Sequence, residues 1–274
     1  MNESKEKRPG STMKTIDKAM FLLGFFSPET PEYRLSDLAR AADMDKVTTM
    51  RILASLVTSG FVEQHPETRR YRLGTAVLRL ARIREASFPV IAVLQPILES
   101  LTEEVGESTH ACLFSGKDMT TIAIAEPHRS TRVFIDPAQP LPIHATASGL
   151  VFLAYADDAI VNETLRHLHV PTTFTDRTVK SESELRQRLD EIRKNGCAIS
   201  SRSFEDDVTG IAAPIFNWHG KIQATISAAC ISTRMTPALE REIEGVVLRA
   251  SVTATRAMGG EPPKTFLMKI RENA

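Results

Sequence analysis

A run of small residues near the middle of the chain has the features of a site for a small ligand. The run is ATASG at 145–149, and the apolar segment LVFLA follows it at 150–154. Thr146 or Ser148 can cap a helix that starts here, and the N–H groups of its first turn would favour a small carboxylate or a similar anion. The same residues also suit an ordinary capped core helix, and this pattern alone favours that simpler interpretation.

Few other residues could carry chemistry in this half of the chain. Ser227 and Ala229 share one face of a strand, with Cys230 on the other face. The three consecutive carboxylates at 205–207 have no histidine at ligand spacing, so a solvated acidic loop is favoured over a metal site. Of the scattered histidines, only His144 lies beside the small-residue run. The sequence contains no motif of a hydrolase, a zinc peptidase or a nucleotide-binding enzyme. We therefore expect no catalytic residue, no metal and no cofactor, and favour ligand sensing over catalysis.

A basic surface is predicted nearer the N-terminus, within residues 36–74. This stretch reads as two short helices around a tight turn, followed by a β-hairpin. Asp45 can cap the second helix, whose buried stripe is predicted to be Thr49, Ile52, Leu53 and Leu56. Its opposite face carries Lys46, Val47, Thr48 and Arg51, and the hairpin carries Arg69, Arg70 and Arg72. The pattern is typical of a winged helix-turn-helix, whose second helix enters the major groove of DNA.

The distribution of charge supports this division of the chain. The 274 residues have no net charge, but the first 84 hold 15 Lys and Arg against 10 Asp and Glu, and the remainder holds 19 against 24. A basic N-terminal part suits a polyanionic partner. No apolar run reaches the ~18 residues of a membrane span, and the charged N-terminus does not resemble a signal peptide. Cys112, Cys197 and Cys230 lie far apart, which indicates a reducing, cytoplasmic compartment.

The remaining patterns predict an α+β protein. A helix is expected at 90–105, and strands are expected in six segments rich in Thr, Ile, Val and Phe. These segments are 109–116, 118–127, 130–136, 197–201, 210–218 and 221–230. Because they follow one another through short turns or single helices, we expect a mainly antiparallel sheet.

With these segments in order, the chain resembles the isocitrate-lyase-regulator (IclR-type) family of bacterial transcription factors over residues 13–260. The resemblance rests on the helix-turn-helix, DKVTTMRILASLVTSGFVEQHPETRRYRLG, LPIHATASGLVFLA and IAAPIFNWHGKIQATIS. It implies a winged helix-turn-helix domain at 12–74, a linker helix at 75–89 and a GAF-like effector-binding domain at 90–260. The tails at 1–11 and 261–274 are expected to be disordered.

The resemblance also implies partners and site residues. It implies a homodimer or homotetramer on double-stranded operator DNA, controlled by a small organic effector, either a carboxylate or an aromatic compound. DNA contacts are expected from Lys46, Thr48, Arg51, Arg69, Arg70 and Arg72. Effector contacts are expected from Val133, Ala147, Ser148, Gly210, Ser227 and Ala229.

Two questions remain open, the function of the whole chain and the role of one arginine. The chain could instead be a metabolite-binding protein or an enzyme with a basic docking domain. Arg202, where the family commonly has an acidic run, could reach a ligand carboxylate or could simply be solvated.

Overall fold

A computed structural model describes residues 15–87, 89–167 and 173–272, which divide into two compact units between Pro89 and Val90. The tail expected at residues 1–11 lies outside the described residues. The first unit contains α1 (Thr15–Leu23), α2 (Leu35–Ala41), α3 (Lys46–Thr58), β1 (Val62–Gln64), β2 (Tyr71–Leu73) and α4 (Thr75–Ser87). Strands β1 and β2 pair antiparallel directly after α3.

The helix-turn-helix forms for the reasons that the sequence suggests. The Asp45 side chain accepts a hydrogen bond of 2.8 Å from the Thr48 N–H, which caps α3. The stripe predicted on α3 is buried in full, and its three apolar members pack with Leu22 of α1 and Leu38 of α2 in one small core. The helix-turn-helix prediction is therefore confirmed.

The second unit is built on one six-stranded sheet. Its helices are α5 (Val90–Val105), α6 (Ala147–Tyr155), α7 (Asp158–His167), α8 (Glu182–Asn195), α9 (Pro237–Ala257) and α10 (Lys264–Glu272). Its strands are β3 (Ser108–Phe114), β4 (Asp118–Ala125), β5 (Leu141–Pro142), β6 (Ala198–Ser201), β7 (Val208–Phe216) and β8 (Ile222–Ile231). The strand order is β5-β4-β3-β8-β7-β6 and every pairing is antiparallel, which confirms the α+β prediction.

Helices cover both faces of this sheet. Ile211 and Ala213 of β7 face the core made with α5 and α9, whereas Ala212 faces the core made with α6 and α8. Most buried residues of β7 and β8 are therefore apolar, on both faces of the sheet. The buried polar residues of the two strands include Thr209 on β7 and Thr225 and Ser227 on β8.

The strand predicted at 130–136 was wrong. Residues 132–136 have no regular secondary structure, and the two-residue strand β5 provides the sixth strand instead. Side chains bind backbone carbonyls of this segment: Ser108 Oγ donates to Val133 O at 2.7 Å, and Arg234 Nη1 donates to Thr131 O at 3.0 Å. These bonds occupy carbonyls that a neighbouring strand would otherwise pair.

The disordered tail predicted at 261–274 was also wrong for the residues described there. Helix α10 occupies most of this stretch, and Phe266 is buried. The Phe266 ring lies 5.1 Å from the Phe216 ring and 6.1 Å from the Tyr155 ring, centroid to centroid. Burial of this aromatic side chain holds α10 against the second unit.

Candidate nucleic-acid interface and ligand cavity

The solvent-facing side of α3 carries the residues expected to contact DNA. Lys46 and Arg51 are exposed, and Thr48 is half-buried. Val47 and Met50 are exposed on the same side, at 62% and 48%. Sequence reasoning did not assign Met50 to this surface, although its spacing of three residues from Val47 is that of one helix face. The surface thus combines cations with apolar groups, and apolar side chains can contact thymine methyl groups.

The three arginines of the β1–β2 hairpin differ in their surroundings. Arg72 forms ion pairs with Glu63, at 3.3 Å, and with Glu32, at 4.0 Å. For Arg69 and Arg70 we find no ion pair within the described part of the chain. Arg69 has a φ of 57°, so the turn places it in the left-handed region. Arg69 and Arg70 therefore have more freedom than Arg72 to bind a phosphate.

The six residues expected to contact an effector lie around one cavity of the second unit. Its volume is about 90 Å³, and its lining includes Val133, Ala147, Ser148, Gly210, Ser227 and Ala229. The cavity lies between the sheet, the start of α6 and the segment before β5. The structure brings these side chains together, but their contact with an effector remains a prediction.

Three polar side chains meet at this cavity. Ser148 Oγ and Ser227 Oγ are 2.9 Å apart, and Ser227 Oγ lies 3.0 Å from His110 Nε2. Ser148 Oγ is 3.5 Å from the same nitrogen. All three residues are buried, and His110 Nδ1 has no hydrogen-bond partner among the described residues. The cluster therefore retains hydrogen-bonding capacity at His110 Nδ1.

His110 was missed by sequence reasoning, which singled out His144 instead. Residue 144 is not part of the described cavity lining. His110 lies opposite Ser227 in the β3–β8 pairing, so the pairing register would have identified it. Burial lowers the pKa of His110 from 6.5 to about 4, because desolvation disfavours the imidazolium ion. The imidazole is therefore neutral at pH 7.

The first turn of α6 reaches the cavity through an unusually close backbone approach. Thr146 Oγ1 accepts a hydrogen bond from the Gly149 N–H and donates one to Pro142 O. A Cβ at Gly149 would lie 2.3 Å from Ile143 O, well inside van der Waals contact. Glycine is therefore required for the loop and the helix to meet, which explains the glycine of the ATASG run.

An ion-pair cluster around the buried Glu107 lies beside the segment that contributes Val133 to the cavity. Glu107 is 1% exposed, and its carboxylate lies 2.7 Å from Arg234 Nη2 and 3.3 Å from Arg129 Nη1. Arg234 also binds Thr131 O, two residues before the cavity residue Val133. The cluster thus fixes the segment that carries Val133 and Phe134.

The acidic run at 205–207 contributes one residue to the described cavity lining. Glu205 lines the cavity, and its burial together with the charge of Asp207 raises its pKa above the ordinary 4.5. Among the described residues, no group of three or more His, Cys, Asp or Glu side chains is arranged to hold a metal ion.

Within the same residues, no helix is both long and apolar enough to cross a bilayer.

Comparison with protein families accounts for both units. Residues 15–66 match the IclR helix-turn-helix domain, and residues 85–255 match the C-terminal domain of bacterial transcriptional regulators of the IclR type. The chain belongs to the IclR family. It is thus a transcriptional regulator with a helix-turn-helix domain, and its relatives are regulators rather than enzymes.

Individual relatives match this IclR-family chain along almost its whole length. The regulator XynR of Escherichia coli K12 is 26% identical over 247 residues, which cover 90% of this chain and 98% of XynR. The solved structure of an IclR-type protein from Silicibacter sp. TM1040 has 36% identity and a TM-score of 0.83, covering 92% of this chain and 99% of that one. An IclR homologue from Microbacterium hydrocarbonoxydans, complexed with 4-hydroxybenzoate, has 23% identity and a TM-score of 0.73, covering 90% and 99%.

Proposed function

We propose that this IclR-family regulator binds a palindromic operator through α3 and the β1–β2 hairpin, and that a small organic effector in the cavity modulates this binding. The observation that carries the DNA-binding part is the placement of Lys46, Thr48 and Arg51 on the outer side of a capped recognition helix, with Arg69 and Arg70 on the adjoining hairpin. Such a helix can read base edges while the hairpin contacts phosphates.

A mobility-shift titration on fragments of the protein's own promoter region tests this interface. Replacing Arg51 with Ala should weaken specific binding by ~1–3 kcal/mol if Arg51 contacts a base, whereas Arg70→Ala should weaken binding to all sequences alike. Arg188→Ala, an exposed arginine on α8, removes the same charge from the other unit and should leave binding unchanged. Unaltered binding in both test variants would contradict the assignment.

The salt dependence of binding separates this proposal from the alternative of a docking domain. Affinity should fall steeply with salt, since several phosphates are contacted. Flat binding, or no binding to any promoter fragment, would favour a metabolite-binding protein or an enzyme with a basic docking domain.

The effector part of the proposal rests on the cavity and its polar cluster. A small organic molecule, either a carboxylate or an aromatic compound, fits the expected class, and a homologue of the same fold is complexed with 4-hydroxybenzoate. In a thermal-shift screen, a ligand at 100 times its Kd should stabilise the protein by ~2.7 kcal/mol. A Ser148→Trp variant fills the cavity and should lose this thermal shift. A thermal shift that persists in the variant would show that the ligand binds outside this cavity.

The assembly is proposed to be a cytoplasmic homodimer or homotetramer. Exposed apolar side chains lie on two helices of the first unit, Ile16 and Met20 on α1 and Leu78 and Ile83 on α4. A second copy of the chain would remove these groups from water, and a dimer would match a two-fold symmetric operator. Light scattering after size-exclusion chromatography measures the subunit number, and a monomer at micromolar concentration would contradict this part.

A further inference from the structure

The side chain of His65 closes the loop between β1 and β2. Its Nδ1 atom accepts hydrogen bonds from the backbone N–H groups of Glu67, at 3.2 Å, and Thr68, at 3.3 Å. A neutral imidazole carries its proton on one nitrogen only, so acceptance at Nδ1 leaves the proton on Nε2. The ring therefore serves the two N–H groups of this turn as an acceptor, in the way that an Asn or Asp side chain does in other turns.

The same loop holds Arg69 in a strained backbone conformation. The carbonyl oxygen of His65 accepts a hydrogen bond from the Arg69 N–H at 3.0 Å, and Gln64 Nε2 donates to Arg69 O at 3.0 Å. With its φ of 57°, Arg69 lies in the left-handed region, which is unfavourable for an L-residue. Strain of this kind persists only where the surrounding structure imposes it, and it is concentrated at ligand-binding sites. The strain at Arg69 therefore indicates that the loop serves binding as well as stability.

Arg70, the next residue, is fixed by bonds within the same loop. The Arg70 N–H donates to Thr68 Oγ1 at 3.4 Å, and Arg70 O accepts a hydrogen bond from the His65 N–H at 2.8 Å. Arg69 is exposed and Arg70 is half-buried. Because the loop sets the backbone of both arginines, it also sets the directions in which their guanidinium groups can reach.

We propose that His65 is a positioning residue for DNA binding, whose Nδ1 atom holds the loop so that Arg69 and Arg70 reach the phosphates of the operator. The inference rests on the proposed DNA contact of the β1–β2 hairpin, and it adds to that contact a residue that acts through the two arginines. Its basis is the acceptor at Nδ1, so the charge of the imidazole plays no part in it.

Two substitutions that differ in the place of the acceptor test this role. In His65→Asn, the amide oxygen is bonded to Cγ, as Nδ1 is in histidine, so it can accept from the same N–H groups. In His65→Gln, the amide oxygen is one bond further from the backbone, which removes the acceptor from the Nδ1 position. The full-length protein is titrated against its promoter fragment by mobility shift over a range of salt concentrations.

The slope of log K against log salt is the quantity to compare. It should keep the wild-type value in His65→Asn and shrink by about 0.9 to 1.8 in His65→Gln, which corresponds to one or two lost phosphate contacts. His219→Gln removes an exposed imidazole from the other unit and should keep the wild-type slope. Equal slopes in His65→Asn and His65→Gln would overturn the proposal, whether both keep or both lose the wild-type value.

A background without the two arginines separates positioning from a general support of the fold. In the Arg69→Ala, Arg70→Ala variant, a further His65→Gln change should leave the affinity for DNA unaltered, because the groups that His65 positions are absent. A further fall in affinity as large as in the wild-type background would show that His65 supports the fold as a whole, and it would overturn the proposal.

The same titrations distinguish failure of this inference from failure of the proposed function. If the Arg69→Ala, Arg70→Ala variant has a smaller slope but His65→Gln does not, the hairpin binds DNA and only the role of His65 is wrong. If the double arginine variant keeps the wild-type slope, the hairpin part of the proposed function fails, and this inference fails with it. If the wild-type protein binds no promoter fragment, the DNA-binding proposal itself is wrong.

Discussion

The candidate DNA interface and the ligand cavity are assembled from the chain in opposite ways. All the expected DNA contacts come from one continuous segment, residues 46–72, and most of them are exposed. The cavity collects side chains from His110 to Ala229, and its cluster of His110, Ser148 and Ser227 is buried. A surface made of neighbouring residues depends on one capped helix and one hairpin. A buried cavity depends on strand register and on close backbone contacts, so we expect its residues to matter more for stability.

The largest effect is expected at the contact between α6 and the preceding loop. Gly149→Ala places a Cβ against the backbone of Ile143, which cannot yield as a side-chain tip would. We expect a loss of roughly 3 kcal/mol or more in the free energy of unfolding. Gly245→Ala on α9 is the matched control, because the nearest atom to its Cβ is Arg249 Nη1 at 3.5 Å. The control should stabilise the helix by about 0.5–1 kcal/mol. Denaturant unfolding measures the stability of both variants. Equal unfolding midpoints for Gly149→Ala and Gly245→Ala would contradict the close backbone contact between Gly149 and Ile143.

The next effect is a dependence of the free energy of unfolding on pH, which the buried imidazole of His110 causes. In the unfolded chain His110 binds a proton near pH 6.5, whereas in the folded protein its pKa is about 4. The unfolded state therefore binds more protons between these values, and stability falls as the pH drops from 6.5 towards 4. The contribution is roughly 3 kcal/mol across this window.

A His110→Asn variant should lack this part of the pH dependence. His219→Asn, in the exposed β7–β8 turn, controls for the loss of an imidazole in general. Unfolding curves at several pH values measure the difference. Parallel profiles for wild type and His110→Asn would show that His110 is not buried as a neutral group.

A smaller effect is expected at the start of the recognition helix. Asp45→Ala removes the side-chain cap of α3 and should cost about 1 kcal/mol. Asp45→Asn keeps an acceptor for the Thr48 N–H and should recover most of this loss. Because α3 also positions Lys46 and Arg51, operator affinity should fall with the loss of the cap. If Asp45→Ala destabilised the protein more than Gly149→Ala does, the cavity would not be the region that matters more for stability.

The same contrast explains how far the sequence alone could predict this molecule. The α3 stripe and its cap follow from spacing within a single helix, and the sequence predicted both. The segment at 130–136 has the composition of a strand, but its carbonyls are bound by Ser108 and Arg234, which are distant in the chain. Phe266 likewise orders α10 through rings at 155 and 216. His110 could not be assigned to the cavity, because its position depends on its pairing with Ser227.

The smallest effect on stability is expected at the tip of the hairpin, where DNA binding and stability should move in opposite directions. Arg69 occupies the left-handed region, which costs an L-residue energy that glycine avoids. Arg69→Gly should therefore leave the fold equally stable or more stable by about 0.5 kcal/mol. It also removes one expected phosphate contact, so the slope of log K against log salt should shrink by about 0.9. Arg69→Ala removes the same charge but keeps the strained backbone, so it should reproduce the change in slope without the gain in stability. If Arg69→Gly lowered stability and left the slope unchanged, this turn would be a structural element and the DNA surface would be confined to α3.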